Sequence, residues 1–376
     1  MNLTIYSKFL NIHQVAVADE LYSILGENFH FVATTSPRKE ELKGASDCSS
    51  RCYCVRPYEN AREYQRAMQL AVDSDVCVFG GFSMEYAISR AKNNPSGLSF
   101  EMGERWLKQG LKNMLSPNFC EWWLSYMRFF RNANFYKLCA SAFASKDDGL
   151  LGIYKQRHFK WGYFVPSSLI VRSKRTHSSQ PKIMWCARFI DWKHPEFAVN
   201  LAYRLVSSGY KCHFDMYGDG PLRSMMEQKV IRLGISDSVV FHGNVPNEQI
   251  HAAMRECDIF LFTSDRQEGW GVVANEAMSN GAVVVGSDEI GAMPYLVTNG
   301  VTGMSFKTCD LDSLYESVKF LLDNPEEREQ ISKAGRESMV RLWSPANAAK
   351  SLLQLIDDIN EGRETSIKEG PCSIAL

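Results

Sequence analysis

A two-domain α/β architecture, each domain a doubly wound parallel sheet, is what this sequence predicts, on three observations. Short apolar runs alternate with helix-period patterns from Leu3 to about Val165, the order expected of parallel strands joined by crossover helices. The same alternation starts again at Lys182. Between the two, residues 166 to 181 read Pro-Ser-Ser-Leu-Ile-Val-Arg-Ser-Lys-Arg-Thr-His-Ser-Ser-Gln-Pro, a polar, turn-rich stretch suited to a linker. Size and composition agree. At 376 residues, 45% hydrophobic and 23% charged, the chain can bury the cores of two ordinary domains.

In the first domain, 1–170, Leu3-Thr-Ile-Tyr, Phe29-His-Phe-Val-Ala and Val76-Cys-Val-Phe are expected strands, and Val15 to Leu25, Ala61 to Val72 and Tyr86 to Lys92 expected helices. The second domain, 182–345, opens with the strand Lys182-Ile-Met-Trp-Cys-Ala. A helix from Glu196 to Ser208, a strand from Cys212 to Tyr217 and a helix from Leu222 to Leu233 follow. Then come a strand at Val239-Val-Phe, a helix from Asn247 to Arg255, a strand from Asp258 to Phe262, a helix from Ala274 to Asn280 and a strand from Ala282 to Gly286, with helices from Asp312 onward. This is a second Rossmann-like unit. Ser344 suits an N-cap with Pro345 at the first helical position of a last helix. Residues 346–376 form that helix and a tail, which beyond Asn360 is polar and expected to fray.

The most informative segment is Glu268-Gly-Trp-Gly-Val-Val-Ala-Asn-Glu276, directly after the apolar run Asp258-Ile-Phe-Leu-Phe-Thr-Ser264. A Gly-x-Gly turn between a buried strand and a helix lets backbone approach a ligand closely. The N–H groups and positive dipole end of the helix's first turn favour an anion there. Glu268 stands before the glycines and Glu276 about two turns into the helix, so carboxylates flank a phosphate position and can accept from sugar hydroxyls. The pattern points to a nucleotide-sugar site.

These residues resemble the E-x7-E signature of retaining glycosyltransferases of the GT4 family, which have the GT-B fold. The neighbours agree, in family order over about residues 182–345: Arg188 and Lys193 in Ala-Arg-Phe-Ile-Asp-Trp-Lys-His-Pro, Tyr217-Gly-Asp-Gly-Pro-Leu222, Phe241-His-Gly243, Gly281-Ala-Val-Val-Val and Gly291-Ala-Met-Pro-Tyr-Leu. The resemblance implies two Rossmann-like domains whose parallel sheets face across a cleft, with the last helix crossing back to the first domain. It implies transfer of a hexose or N-acetylhexosamine from a UDP-, GDP- or ADP-sugar to a hydroxyl of a glycan or lipid-linked glycan, in surface polysaccharide biosynthesis. By the same resemblance, Arg188 and Lys193 hold the diphosphate and no metal is required. Glu276 meets the ribose and Glu268 the donor sugar, while Gly269, Trp270, Gly271 and Val272 approach phosphate or sugar. Gly218, Asp219, Gly220 and His242 flank the nucleotide, although Asp219 and His242 also fit plain structural turns.

On the first domain the match thins. Where relatives often carry a glycine-rich loop, this chain has Ser7-Lys-Phe-Leu-Asn-Ile-His-Gln14. Asn11, His13 and Gln14 read either as a helix-capping cluster or as acceptor-side contacts. Glu101, Glu104 and Arg105 read either as acceptor-binding groups or as the acidic first turn of a helix. From Arg105 to Lys112 and from Trp122 to Lys137 aromatic and basic residues interleave, which suits a core stripe, or a face in peripheral contact with the inner membrane surface.

A formal net charge of -1 gives no general attraction to nucleic acid, so none is expected as a partner. Eleven cysteines, an odd number without disulfide spacing, suit free thiols in a reducing cytoplasm. Cys48, Cys52 and Cys54 match no usual zinc or iron–sulfur spacing. Two rival classes stand beside the transferase. An oxidoreductase would need a G-x-G-x-x-G opening a helix, which neither first strand shows. A non-catalytic nucleotide-sugar-binding subunit would carry the same binding residues.

Overall fold

The structure, a computed structural model, describes residues 1–38, 48–81, 83–166 and 180–375. It divides into two compact units, Met1–Pro166 with Leu342–Leu376, and Ser167–Arg341. The linker expected at 166–181 lies almost wholly outside the described residues.

Seven parallel strands make the first sheet: β1 (Leu3–Ser7), β2 (Phe29–Ala33), β3 (Cys54–Val55), β4 (Val76–Phe79), β5 (Leu98–Gly103), β6 (Phe135–Cys139) and β7 (His158–Lys160). Their order is β3-β2-β1-β4-β5-β6-β7. From β1 the chain winds outward through β2 and β3, then returns to the other side of β1 with β4. Loops after β1 and β4 therefore diverge, and the crevice they leave is where open α/β sheets bind ligands. The second unit repeats this with β8 (Lys182–Cys186), β9 (His213–Tyr217), β10 (Val239–Gly243), β11 (Ile259–Phe262), β12 (Val283–Ser287) and β13 (Met304–Phe306). They lie in the order β10-β9-β8-β11-β12-β13, all parallel, and the switch falls between β8 and β11.

Strands covered on both faces can be apolar throughout, and β1, β4, β11 and β12 are buried along their whole length. Each fully buried Val, Ile or Leu contributes about 1.5–3 kcal/mol, so these runs fix which segments become central strands. Helices are anchored by caps: Asn11 accepts from the N–H groups of His13 and Gln14 at the start of Ile12–Leu25, and Ser344 accepts from Asn347 N–H at the start of Pro345–Asn360. The Pro345–Asn360 helix belongs to the first unit and packs against Ile12–Leu25, burying Leu352, Leu355 and Ile356.

One expectation needs correction. The tail does not fray. Cys372 and Ser373 exchange backbone hydrogen bonds with Lys160 on the β7 edge (Cys372 N–H to Lys160 O, 2.7 Å; Lys160 N–H to Ser373 O, 2.7 Å), Ala375 N–H reaches His158 O at 3.0 Å, and Ile374 bridges Phe159 antiparallel. The Asp358 carboxylate ties the turn, accepting from Ser366 N–H, Arg363 and the Ser366 hydroxyl, each at 2.8 Å, which holds its carboxyl well below the usual range. The Trp122–Lys137 stretch supplies core, as the first of its two readings has it: Trp122, Tyr126, Phe130 and Phe135 are buried, and so is Lys137, which is on β6.

Candidate functional site

In the second unit, three loops at the carboxyl ends of β8, β9 and β10 are tied together by backbone. Phe189 N–H donates to Asp219 O and Leu222 N–H to Phe189 O, each at 3.0 Å, while Gly218 N–H donates to Gly243 O at 2.8 Å. Both glycines are needed. Gly218 has φ +115° and a Cβ there would lie 1.9 Å from Ala187 O, and at Gly220, φ +152°, it would lie 2.6 Å from Phe189 O. Asp219 accepts from Gly220 N–H at 2.8 Å, so it is a turn-former with an exposed side chain. His242 is held from two sides: Nε2 lies 2.6 Å from Asp215 Oδ1, and Tyr217 stacks on the ring at 4.3 Å.

The β8 loop meets the β11 loop through a buried chain. Trp185 Nε1 donates to Thr263 Oγ1 at 2.9 Å, and Thr263 Oγ1 donates to Lys193 O at 2.7 Å. Asp265 N–H adds a bond to Trp192 O at 3.0 Å. This brings Lys193 beside Glu268, and the two form an ion pair in which Ser264 Oγ also donates to Glu268 at 3.2 Å. Arg188 is exposed. The Trp192 ring lies under both cations, 4.2 Å from Lys193 Nζ and 5.9 Å from Arg188 Cζ, a cation–π contact that limits where the heads can swing.

After Glu268 the backbone turns at Gly271, φ +90°, where a Cβ would come within 2.3 Å of Phe262 Cζ. Val272 then starts the helix Val273–Ser279. Glu276 is the fourth residue of that helix, one turn in rather than two, so it stands closer to the glycine turn than its sequence spacing suggests. Its carboxylate lies 3.8 Å from His251 Nε2. Cys186, at the end of β8, has its thiol pushed up to about 12, first by burial and then by the Glu276 charge. Trp270 is buried, donates from Nε1 to Asn275 Oδ1 at 2.9 Å and faces Tyr295, with ring centroids 6.1 Å apart. Its backbone carbonyl accepts from Ala292 N–H, and Glu268 O accepts from Gly291 N–H, so the Gly291-Ala-Met-Pro segment braces the turn.

Thus Arg188, Lys193, Glu268, Gly269, Gly271, Val272 and Glu276 belong to loops that converge on the β8–β11 switch point. Their chemistry suits an anionic, hydroxylated ligand: a guanidinium and an ammonium for charge, carboxylates for hydroxyls. Sequence reasoning missed Trp192, Ser264 and His251. Trp192 lies between Arg188 and Lys193 in the quoted motif and was the findable one.

In the first unit, a pocket of about 600 Å³ opens at the corresponding switch point, lined by Ser7 and Gln14 from the β1 side, Gly80 and Gly81 after β4, and Glu101, Glu104 and Arg105 at and after β5. Asn11 is occupied as the helix cap, and Gln14 Nε2 donates to Ser7 Oγ at 3.0 Å. His13 donates its N–H to that cap and does not line the pocket. Glu101 lies on β5, not at a helix start. Lys137 Nζ donates to its Oε1 at 2.7 Å, and the Tyr154 hydroxyl donates to Oε2. Burial alone would lower the Lys137 ammonium, but Glu101 and Asp148 outweigh it and raise it. Glu104 pairs with Lys108 and accepts from Tyr163 at 3.2 Å; Arg105 is buried in a two-armed pair with Asp147, at 3.2 and 3.1 Å. Arg105 is therefore structural, while Glu101 and Glu104 both line the pocket.

Comparison with known proteins adds the following. The family described as Glycosyl transferases group 1 matches residues 169–338. An alpha-D-kanosaminyltransferase of Streptomyces kanamyceticus is 26% identical over 189 residues, 50% of this chain and 48% of that protein. A 2-deoxystreptamine glucosyltransferase of the same organism is 33% identical over 158 residues, 42% of this chain and 40% of that one. The chain spans about half the length of the curated relatives it matches. Among solved structures, Anabaena Alr3699/HepE in complex with UDP superposes with TM-score 0.71 at 13% identity, over 95% of this chain and 100% of that one. The apo lipopolysaccharide outer core galactosyltransferase WaaB does so at 0.68 and 14%, over 96% and 100%. The fold is GT-B.

Proposed function

We propose, from the premise that residues 169–338 of this chain belong to the glycosyl transferases group 1, that it is a retaining glycosyltransferase using a nucleoside diphosphate sugar. The observation that carries this is the convergence of Arg188, the Lys193–Glu268 pair, the Gly271 turn and Glu276 on one switch point. Arg188 and Lys193 neutralise the charge that develops on the departing diphosphate, and donor groups already aimed at that charge lower the barrier without reorganising. Glu276 accepts from the ribose hydroxyls and Glu268 from the donor sugar. When the diphosphate enters, Lys193 exchanges one carboxylate partner for phosphate oxygens and Glu268 is released towards the sugar hydroxyls.

In the reaction, the bond between the anomeric carbon and the diphosphate oxygen breaks and the bond from the acceptor oxygen forms on the same face. The acceptor proton passes to the leaving phosphate oxygen, so no protein base is needed. The donor is a UDP-, GDP- or ADP-linked hexose or N-acetylhexosamine; the acceptor is a hydroxyl of a glycan or lipid-linked glycan, in surface polysaccharide synthesis. Two protein cations stand in for a metal. All eleven cysteines are free thiols, which supports a reducing cytoplasm with, at most, peripheral membrane contact. Nucleoside diphosphate release, measured over a panel of donors with acceptor present and absent, tests the reading. Turnover with one nucleotide class supports it, and binding without turnover under every pairing would leave only a nucleotide-sugar-binding subunit.

A further inference from the structure

The first-unit pocket has a wall that is mostly apolar, built from Phe79, Met84, Trp106, Trp122, Phe130 and Phe135. A glycan alone carries hydroxyls around every ring edge, and each one left unpaired against such a wall costs about tenfold in affinity. The polar lining groups sit around that wall, and among them Glu101 and Glu104 are carboxylates fixed by protein donors and suited to accept from hydroxyls. The rim is unusual in the same sense. The chain leaves the wall at Lys108 and rejoins it at Asn118, and in between a 3₁₀ turn, Gly110–Leu115, leaves Leu111 69% and Leu115 84% exposed, with Met114 at 40%. Residues three apart eclipse in such a turn, so Leu111 and Met114 share a face. Single exposed apolar residues are ordinary, whereas three in one turn, between two segments of chain that line an apolar pocket, suit a binding surface.

Resting on the transferase reading, we propose that the acceptor is an amphiphile, a hydroxylated headgroup on a linear hydrocarbon chain. Its hydroxyls meet Glu101 and Glu104. Its chain lies along the Trp106 and Trp122 wall and leaves over Leu111, Met114 and Leu115. The occupant of the rim is thus the acceptor's own chain.

Glucose, hexyl glucoside and octyl glucoside, each below its micelle threshold, are titrated into the full chain while tryptophan emission is followed, with Trp106→Phe identifying the reporting ring. Affinity should rise on the order of tenfold from hexyl to octyl, since each added methylene is buried, and glucose should not saturate. Leu111→Ser with Leu115→Ser, both at exposed positions, should narrow the hexyl–octyl difference several-fold. Gly81 lines the pocket and a Cβ there meets nothing within 4 Å, so Gly81→Leu adds bulk at the pocket without a clash at Cβ and should abolish binding of both glucosides. Thermal shifts with UDP-, GDP- and ADP-sugars should be unchanged in these variants. Equal affinity for glucose and octyl glucoside, or octyl glucoside binding that survives Gly81→Leu, overturns the proposal while the donor shifts stand. If no nucleotide sugar shifts the wild type, the transferase reading fails first and takes this acceptor with it.

Discussion

Both units place chemistry at the same topological point, where the strand order reverses, and they treat charge there in opposite ways. The second unit leaves Arg188 exposed and holds Lys193 and Glu268 in a pair that a ligand can divide. In the first unit the charges are settled from within: Lys137 against Glu101, Arg105 against Asp147, Lys108 against Glu104. On the proposed reading, one site receives charge with its ligand, and the other offers hydrocarbon and fixed acceptors. A cleft that is to bind a diphosphate needs a cation open to solvent, as Arg188 is, and one that can change partners. A cleft that is to orient an uncharged hydroxyl gains more from carboxylates that cannot move.

The largest effect expected from this contrast is at Gly271. Gly271→Val must adopt φ +90° and push into the Phe262 ring, displacing the turn. Nucleotide-sugar turnover should fall on the order of a thousandfold, while alkyl glucoside binding by the first unit persists. Loss of both activities together would tie the two sites to one fold-wide defect instead.

How much of this was readable beforehand follows the same division. The second unit announced itself because its ligand-facing residues sit within short motifs, and glycines required by close backbone approach, such as Gly218 and Gly220, are visible as letters. Most of the limits that were named came within a residue or two, since apolar period decides them, but the first helix starts three residues before Val15, and β3, β5, β6, β7 and β13 went unnamed. What was missed depends on distance along the chain. Lys137 and Tyr154 reach Glu101 across 36 and 53 residues, and a lysine amid aromatics gives no sign that it is buried; lysines seldom are without a partner. The tail failed for a related reason. Its polar composition suggested fraying, but its hydrogen bonds are backbone ones to the β7 edge, which composition does not report.

Next in size is the buried pair. Glu101→Gln leaves the Lys137 ammonium buried with a weaker partner and should lower stability by about 3 kcal/mol, seen as a shifted denaturant midpoint, with donor KM unchanged. Adding Lys137→Met should restore most of that loss; no restoration would mean that Glu101 acts on the fold by another route. Smaller again is Trp192→Ala, which frees the Lys193 and Arg188 heads and should raise donor KM about threefold to fivefold. An unchanged KM would remove the ring from the site.

The smallest concerns His194, whose imidazole is raised above its ordinary value of 6.5 by the hydrogen bond to Glu196, with Asp265 adding to it. A raised histidine stabilises most when protonated. The stability gap between wild type and His194→Asn should therefore be full below pH 6.5 and close as pH rises through the higher folded value. A gap that widens with pH contradicts that assignment.

The decisive measurement is thermal stabilisation of the wild type and of Glu276→Ala with Arg188→Ala by UDP-, GDP- and ADP-sugars. At 100 times its dissociation constant a bound donor should stabilise the wild type by about 2.7 kcal/mol, and the double variant should show almost none. Equal stabilisation of both proteins, or none of either by any activated sugar, would contradict a diphosphate site on the second unit.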